Sequence, residues 1–122
     1  MSAARVEIEL DRPPPALVFA GETLAGRVRL SMPEPLRVHG VRLVVGWRTA
    51  GRGETDRGSL VDERIVPRQV LEGEHEHAFT VVIPPAPLSH DGRLVKIRWA
   101  AEVRVDVVLA PDLRAEAPFR VA

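Results

Sequence analysis

Two of the chain's four histidines, His75 and His77, stand two residues apart in the run Gly73-Glu74-His75-Glu76-His77. On an extended strand, side chains two apart leave the same face. Both imidazoles then point one way with an acid between them, which is how a metal site could begin. Zinc needs a third protein ligand of suitable geometry. His90 and Asp91 are the nearest candidates in sequence and His39 is another, but nothing local fixes any of them beside the pair. The competing reading is that the two rings pack the end of a sheet. A metal-binding module or metal-dependent enzyme using His75 and His77 is therefore the alternative functional reading, and structural packing the favoured one.

The remaining chemistry-bearing residues form no reacting set. The stretch Gly51 to Thr55, "GRGET", has the glycines of a phosphate cradle. It lacks the Lys-Ser/Thr end and the following helix that a P-loop requires. Ser59 and Ser89 have no base and acid partners for a hydrolytic triad. The carboxylates Asp62-Glu63 and Glu74/Glu76 fall on polar strand faces, where solvation is the ordinary fate. With no cysteine in the chain, a disulfide scaffold, a cysteine zinc site and a thiol nucleophile are all excluded. No catalytic residue and no cofactor are assigned, and the expectation is a protein that is not an enzyme.

Any such site would have to be positioned by strands. Apolar residues make up 45% and charged residues 28% of the 122-residue chain, a globular balance, and the formal net charge is zero. A general nucleic-acid binder would need surplus Lys and Arg to displace counterions from phosphate. The first residues show no apolar h-region of a signal peptide, and no apolar run is long enough to span a bilayer. The expected compartment is the cytoplasm.

Prolines and glycines punctuate segments that alternate with period two. In "RVEIEL", Val6, Ile8 and Leu10 take one face and Arg5, Glu7 and Glu9 the other; in "TLAGRVRL", Leu24, Val28 and Leu30 oppose Arg27 and Arg29. From Val95 to Leu109 every second residue is apolar, which predicts one long strand with a dry face. "LRVHGVRLVVGWRT" changes parity midway, and a bulge at His39-Gly40 would bring Leu36, Val38, Val41, Leu43, Val45 and Trp47 to the same side. Pro67 marks an edge strand or a kink, "AGRGETDRGS" an exposed loop, and Ala110-Pro111-Asp112 a turn. No sustained helical period appears. The reading is all-β: an immunoglobulin-like antiparallel sandwich of about seven strands, with residues 1–122 as one domain.

The order of these landmarks resembles the N-terminal half of the arrestin-like proteins, a superfamily that includes arrestins, related retromer subunits and bacterial sporulation-control proteins. The matching residues are Gly21-Glu22 with Gly26, the Gly40-Val41 step, the strand from Gly73 to Pro84, Ser89, and Ile97-x-Trp99 entering the long strand. The resemblance implies a non-enzymatic interaction module, an adaptor or scaffold, with large, often aromatic residues where His75 and His77 stand. Several arrestin features are missing. The first strand offers Arg5, Glu7 and Glu9 in place of phosphate-sensing lysines, the next ends in Ser31, and the absence of tyrosine excludes a PPxY motif. Recognition of phosphorylated receptors is not carried over.

Arg27, Arg29, Arg42, Lys96, Arg98 and Arg104 all fall on the polar parity of core strands. If their strands are neighbours they form a basic strip. Cross-strand pairing with Glu102, Asp106 and the first-strand glutamates is one reading; a face that binds an acidic peptide or headgroup is the other. An unpaired edge strand could also accept a partner through its backbone. The expected partners are therefore proteins, with self-association as a second mode and neither nucleic acid nor a membrane span. Trp47 and Trp99 take the core parity, which argues against a carbohydrate-stacking platform.

Overall fold

A computed structural model describes residues 3–51, 55–92 and 95–122. Eight strands follow in chain order: β1 Arg5–Leu10, β2 Ala16–Val18, β3 Thr23–Gly51, β4 Arg57–Val66, β5 Gln69–Val82, β6 His90–Asp91, β7 Val95–Val107 and β8 Leu113–Val121. The described residues contain no helix.

β3 organises the rest. Its 29 residues would extend over about 95 Å at ~3.3 Å each, whereas a chain of this length packs to a radius of gyration of about 14 Å. The strand must bend, and the sequence fixes where. Pro33 and Pro35 cannot donate to a ladder, and the pairing of β3 with β5 jumps from Met32↔Gly73 to Leu36↔Leu71. Three residues of β3 thus face Glu72 alone. Gly73, at φ 82°, supplies the left-handed turn that β5 needs at this corner. A second irregularity falls between Val38 and Gly40 in the pairing with β7. This is the bulge that the parity change predicts, and it leaves Val38, Val41, Leu43 and Val45 all buried. Opposite it, Pro67 separates β4 from β5, and both of those strands lie antiparallel along β3.

Two layers result. The first is β1, the N-terminal half of β3 and β5. The second is β4, the C-terminal half of β3, β7, β8 and then β2, which joins β8 in parallel; β6 extends β7 at Ile97 and Lys96. Inward residues of both layers merge into one apolar cluster, with Leu24, Val28 and Leu30 from one half of β3 and Leu43 and Val45 from the other. Val6, Ile8 and Leu10 of β1 lean on the same cluster, and β1 comes close to β8 on the far layer. Trp99 is buried at the heart of the second layer. Its indole N–H donates to the Pro87 carbonyl at 2.9 Å, and its ring lies 5.8 Å from that of Phe119. A buried indole with its polar atom satisfied is a core residue and not a stacking platform.

Three expectations change. The strands predicted on either side of Ser31–Leu36 are one bent strand. The long strand stops at Val107, where the Val107 N–H donates to Asp112 Oδ1 across the β7–β8 turn and the Val108 N–H donates to the Arg37 carbonyl of β3. Val95 is 43% exposed and Leu109 fully exposed at φ 57°, so neither joins the core face. The expected loop shortens to a hairpin, of which residues 52–54 lie outside the described residues.

Gly26 shows how tightly the first layer is built. A Cβ there would stand 2.5 Å from Cζ of Phe79 and 3.0 Å from the Glu9 carbonyl oxygen. Gly26→Val should therefore lower stability by about 1–3 kcal/mol, read as a fall in the urea midpoint at unchanged slope.

Candidate functional site

The six basic residues singled out in the sequence divide between the two layers, because the bend in β3 carries its halves apart. Arg27 and Arg29 lie on the outer face of the first layer, between the acids of β1 and β5. Their register sets Arg29 between Glu7 and Glu76. Arg29 contacts Glu9 at 3.1 Å and Glu76 at 3.5 Å, and Arg27 contacts Glu76 at 3.6 Å. On this layer the charges are paired across strands, each exposed pair contributing a few tenths of a kcal/mol.

Arg42, Lys96, Arg98 and Arg104 lie on the second layer, and there the register brings in arginines that the sequence reading did not group with them. Arg64 of β4, Arg42 of β3, Arg104 of β7 and Arg114 of β8 occupy successive strands in one row. Six residues further along β3, Arg57, Arg48 and Arg98 form a second row, and the Trp99↔Phe119 pairing sets Arg120 beside Arg98. Between the rows run one with acids on three strands, Asp62, Glu102 and Glu116, interrupted by Val44 on β3, and one of small residues, Ser59, Gly46, Ala100 and Pro118. The first arginine row is partly neutralised: Arg42 pairs with Asp62, and Arg104 lies 3.8 Å from Asp112. Lys96 is held by Asp91 at 3.6 Å. Among the described residues no carboxylate lies within ion-pair distance of Arg48, Arg57, Arg98 or Arg120. These side chains line one broad, open concavity on this face. Arg48, Arg64, Arg114 and Arg120 were legible as polar-parity residues but not as neighbours, since register is a tertiary fact, and Arg57 fell in the stretch expected to be a loop.

The histidine pair resolves differently. His75 and His77 sit opposite Leu30 and Val28 and share parity with buried Phe79, Val81 and Ile83. β5 is paired on one side only, so His77 is half-buried and His75 exposed. The His75 Nε2–H donates to the Glu72 carbonyl at 2.9 Å, beside the corner at Gly73. His39 contacts Arg68 at the bulge, while His90 and Asp91 pair with β7 on the other layer. The described residues contain no group of three or more His, Asp or Glu side chains placed to hold a metal. Ser89 is likewise structural: its Oγ accepts from Val121 N–H at 2.8 Å, and its own N–H donates to the Val121 carbonyl.

Arg12 is a structural clasp in the turn after β1. Its guanidinium donates to Asp11 at 2.9 Å and to the carbonyls of Leu17 and Thr23 at 2.9 and 3.3 Å, which ties that turn to β2 and to the start of β3. The hydrogen bond from Arg12 and its charge hold the Asp11 carboxyl below its ordinary range, and the same contact raises Arg12. A depressed carboxylate stabilises the fold at neutral pH and loses that contribution as pH falls through its folded value.

The shared bent strand, the two charged outer faces and the common core define an arrestin-like β-sandwich. Among solved structures, the chain is similar to Spo0M, the sporulation control protein from Bacillus subtilis, with a TM-score of 0.71 and 17% identity. The match covers 99% of this chain and 50% of that one, so the chain spans about half the length of its neighbour. At this identity the likeness establishes the fold. No family model matches the chain, and no curated protein matches it in sequence.

Arg12→Ala should lower stability by about 1 kcal/mol near neutral pH. Its deficit relative to the native protein should shrink only on strong acidification, which chemical denaturation at two pH values would show. For the histidines, the His75→Ala/His77→Ala double variant should bind no less zinc than the native protein by metal analysis, and micromolar zinc should leave both thermal midpoints unmoved.

Proposed function

We propose that this chain is a non-enzymatic interaction module, acting as one domain of adaptor or scaffold type, which docks a protein partner on the outer face of its second layer. One observation carries the reading: arginines stand directly opposite arginines on four adjacent strands in one row and on three in another, on a concave face. Like charges opposite one another in a sheet are destabilising, and the first layer shows that this fold readily alternates acids and bases across strands. A face that instead concentrates arginine is costly to an isolated protein and favourable to one that meets an anionic surface, where guanidinium forks bind carboxylates bidentately.

A second mode has its own observation. The outer edges of β4 and β5 are unpaired among the described residues, and Val70 and Val82 on β5 are 53% and 63% exposed. Strand addition at that edge would serve a partner or a second copy.

The test is quantitative pull-down from a lysate of the host, at low and moderate salt, with the native protein and two charge reversals. The native protein and Arg27→Glu/Arg29→Glu should retain one partner near equal stoichiometry, and Arg48→Glu/Arg98→Glu should lose it. Retention by both variants at moderate salt would move the interface to the β5 edge, since charge-driven binding weakens with screening. Recovery of the bait alone under all conditions would overturn the interaction reading.

A further inference from the structure

Resting on that reading, we infer that the row Arg57–Arg48–Arg98–Arg120 recognises an extended protein segment carrying carboxylates at alternate positions, laid across the strands. Arg57, Arg48 and Arg98 stand opposite one another on β4, β3 and β7, and Arg120 lies one residue past the last β7–β8 pair, Trp99↔Phe119; at about 4.8 Å between strands the row spans about 14 Å. In an extended peptide, side chains at alternate positions leave the same face about 6.8 Å apart. Three acidic residues at positions i, i+2 and i+4 therefore cover the same length and offer each carboxylate to a pair of guanidinium groups. Three consecutive acids would send the middle one to the opposite face, away from the row.

The surroundings of the row restrict what can occupy it. The floor beside it is made of Ala100 and Pro118 with Ser59, small side chains that let a peptide backbone come close to the sheet over β7 and β8, while over Gly46 the Gly58 carbonyl of β4 already fills the space a Cβ would take. Beyond that floor stand Asp62, Glu102 and Glu116, which confine a negatively charged ligand to a track about one peptide wide. A nucleic-acid strand would need a wider positive field and aromatic platforms for its bases. The aromatic residues of these strands turn toward the core: Trp99 and Phe119 are buried, and Trp47 is partly buried and packs against the same cluster. A bilayer surface is flat, whereas this face is concave and the fully exposed Leu109 lies off it, in the β7–β8 turn. An acidic peptide satisfies both the charge and the shape.

The experiment uses two dye-labelled heptapeptides of one composition, Ser-Glu-Ser-Glu-Ser-Glu-Ser and Ser-Ser-Glu-Glu-Glu-Ser-Ser, titrated with the whole chain by fluorescence anisotropy at low salt. The alternating peptide should bind about tenfold more tightly than its isomer. Arg98→Glu should weaken binding about tenfold or more, corresponding to about 1.4 kcal/mol, and Arg27→Glu should leave it unchanged. Arg98→Gln, checked by circular dichroism, serves if the reversal does not fold, and should weaken binding in the same direction. Equal affinity for the two isomers would overturn the inference, as would indifference to Arg98 substitution or no binding at millimolar peptide. Tighter binding of a single-stranded oligonucleotide of equal charge, or of vesicles of anionic lipid, would overturn it in favour of that surface. If the peptides fail while Arg48→Glu/Arg98→Glu still loses its partner from lysate, the docking face stands and the ligand class falls. If both fail, the interaction reading falls with it.

Discussion

The bend of β3 between Met32 and Leu36 is the constraint on which the rest of the molecule depends. A single strand too long to fit the globule contributes to both layers, and its two halves bury Leu24, Val28 and Leu30 on one side of the corner and Val41, Leu43 and Val45 on the other. Because side-chain facing in a strand has period two, a bend without compensation would leave one half with its apolar set turned outward. The extra residues around Pro33–Pro35 and the bulge at His39–Gly40 supply that compensation. β4 and β5 repeat the break at Pro67 and turn at Gly73, so the ribbon alongside β3 bends where β3 does. The core, the layer boundaries and the facing of every charge follow from these few backbone irregularities.

One consequence is a division of electrostatic labour. The first layer interleaves acids and bases: Glu9 and Glu76 flank Arg29, and such exposed pairs add little stability but cancel the field. The second layer stacks like with like, and its arginine rows carry most of the unbalanced positive charge of a chain whose net charge is zero. Net charge alone excludes a general polyanion binder and conceals a local one. The distinction lies in register, which decides whether Arg48 meets an acid or Arg98.

The fold was legible in the sequence wherever alternation was strict. Leu24, Val28, Leu30, Trp99, Val103 and Val105 are buried as their parity requires, and the His39–Gly40 bulge follows from a parity change that no other cheap device explains. Continuity of β3 through two prolines was not legible, because Pro33 and Pro35 locally read as a break and only the pairing with β5 carries the strand across. Strand ends were also hidden: Val95 and Leu109 have core parity but no partner layer beyond them. The candidate site was half legible. Arg42, Arg98 and Arg104 announce themselves as outward residues, but Arg57, Arg114 and Arg120 become their neighbours only through cross-strand register. His75 and His77 do share the core-side face, yet an edge strand has no core beneath its rim, so one ring caps a carbonyl and the other is half-buried.

The edges and the face of this sandwich have been treated differently, and the contrast favours the face as the docking surface. Natural sheets discourage edge pairing with charge, proline and short strands. Here β5 carries Glu72, Glu74 and Glu76 along its outer run, β4 carries Asp62, Glu63 and Arg64 and is followed by Pro67, and β2 is only three residues long. Each of these three edges thus bears a feature that opposes strand addition. The second-layer face bears the reverse: repulsive arginine rows persist beside a floor of small side chains, Ala100 and Pro118, that leaves room above β7 and β8. Repulsion at an edge keeps neighbours away, whereas repulsion among guanidinium groups lining a concave face is relieved only by an incoming anion. Both features raise the energy of the isolated chain slightly, but only the second is lowered by binding.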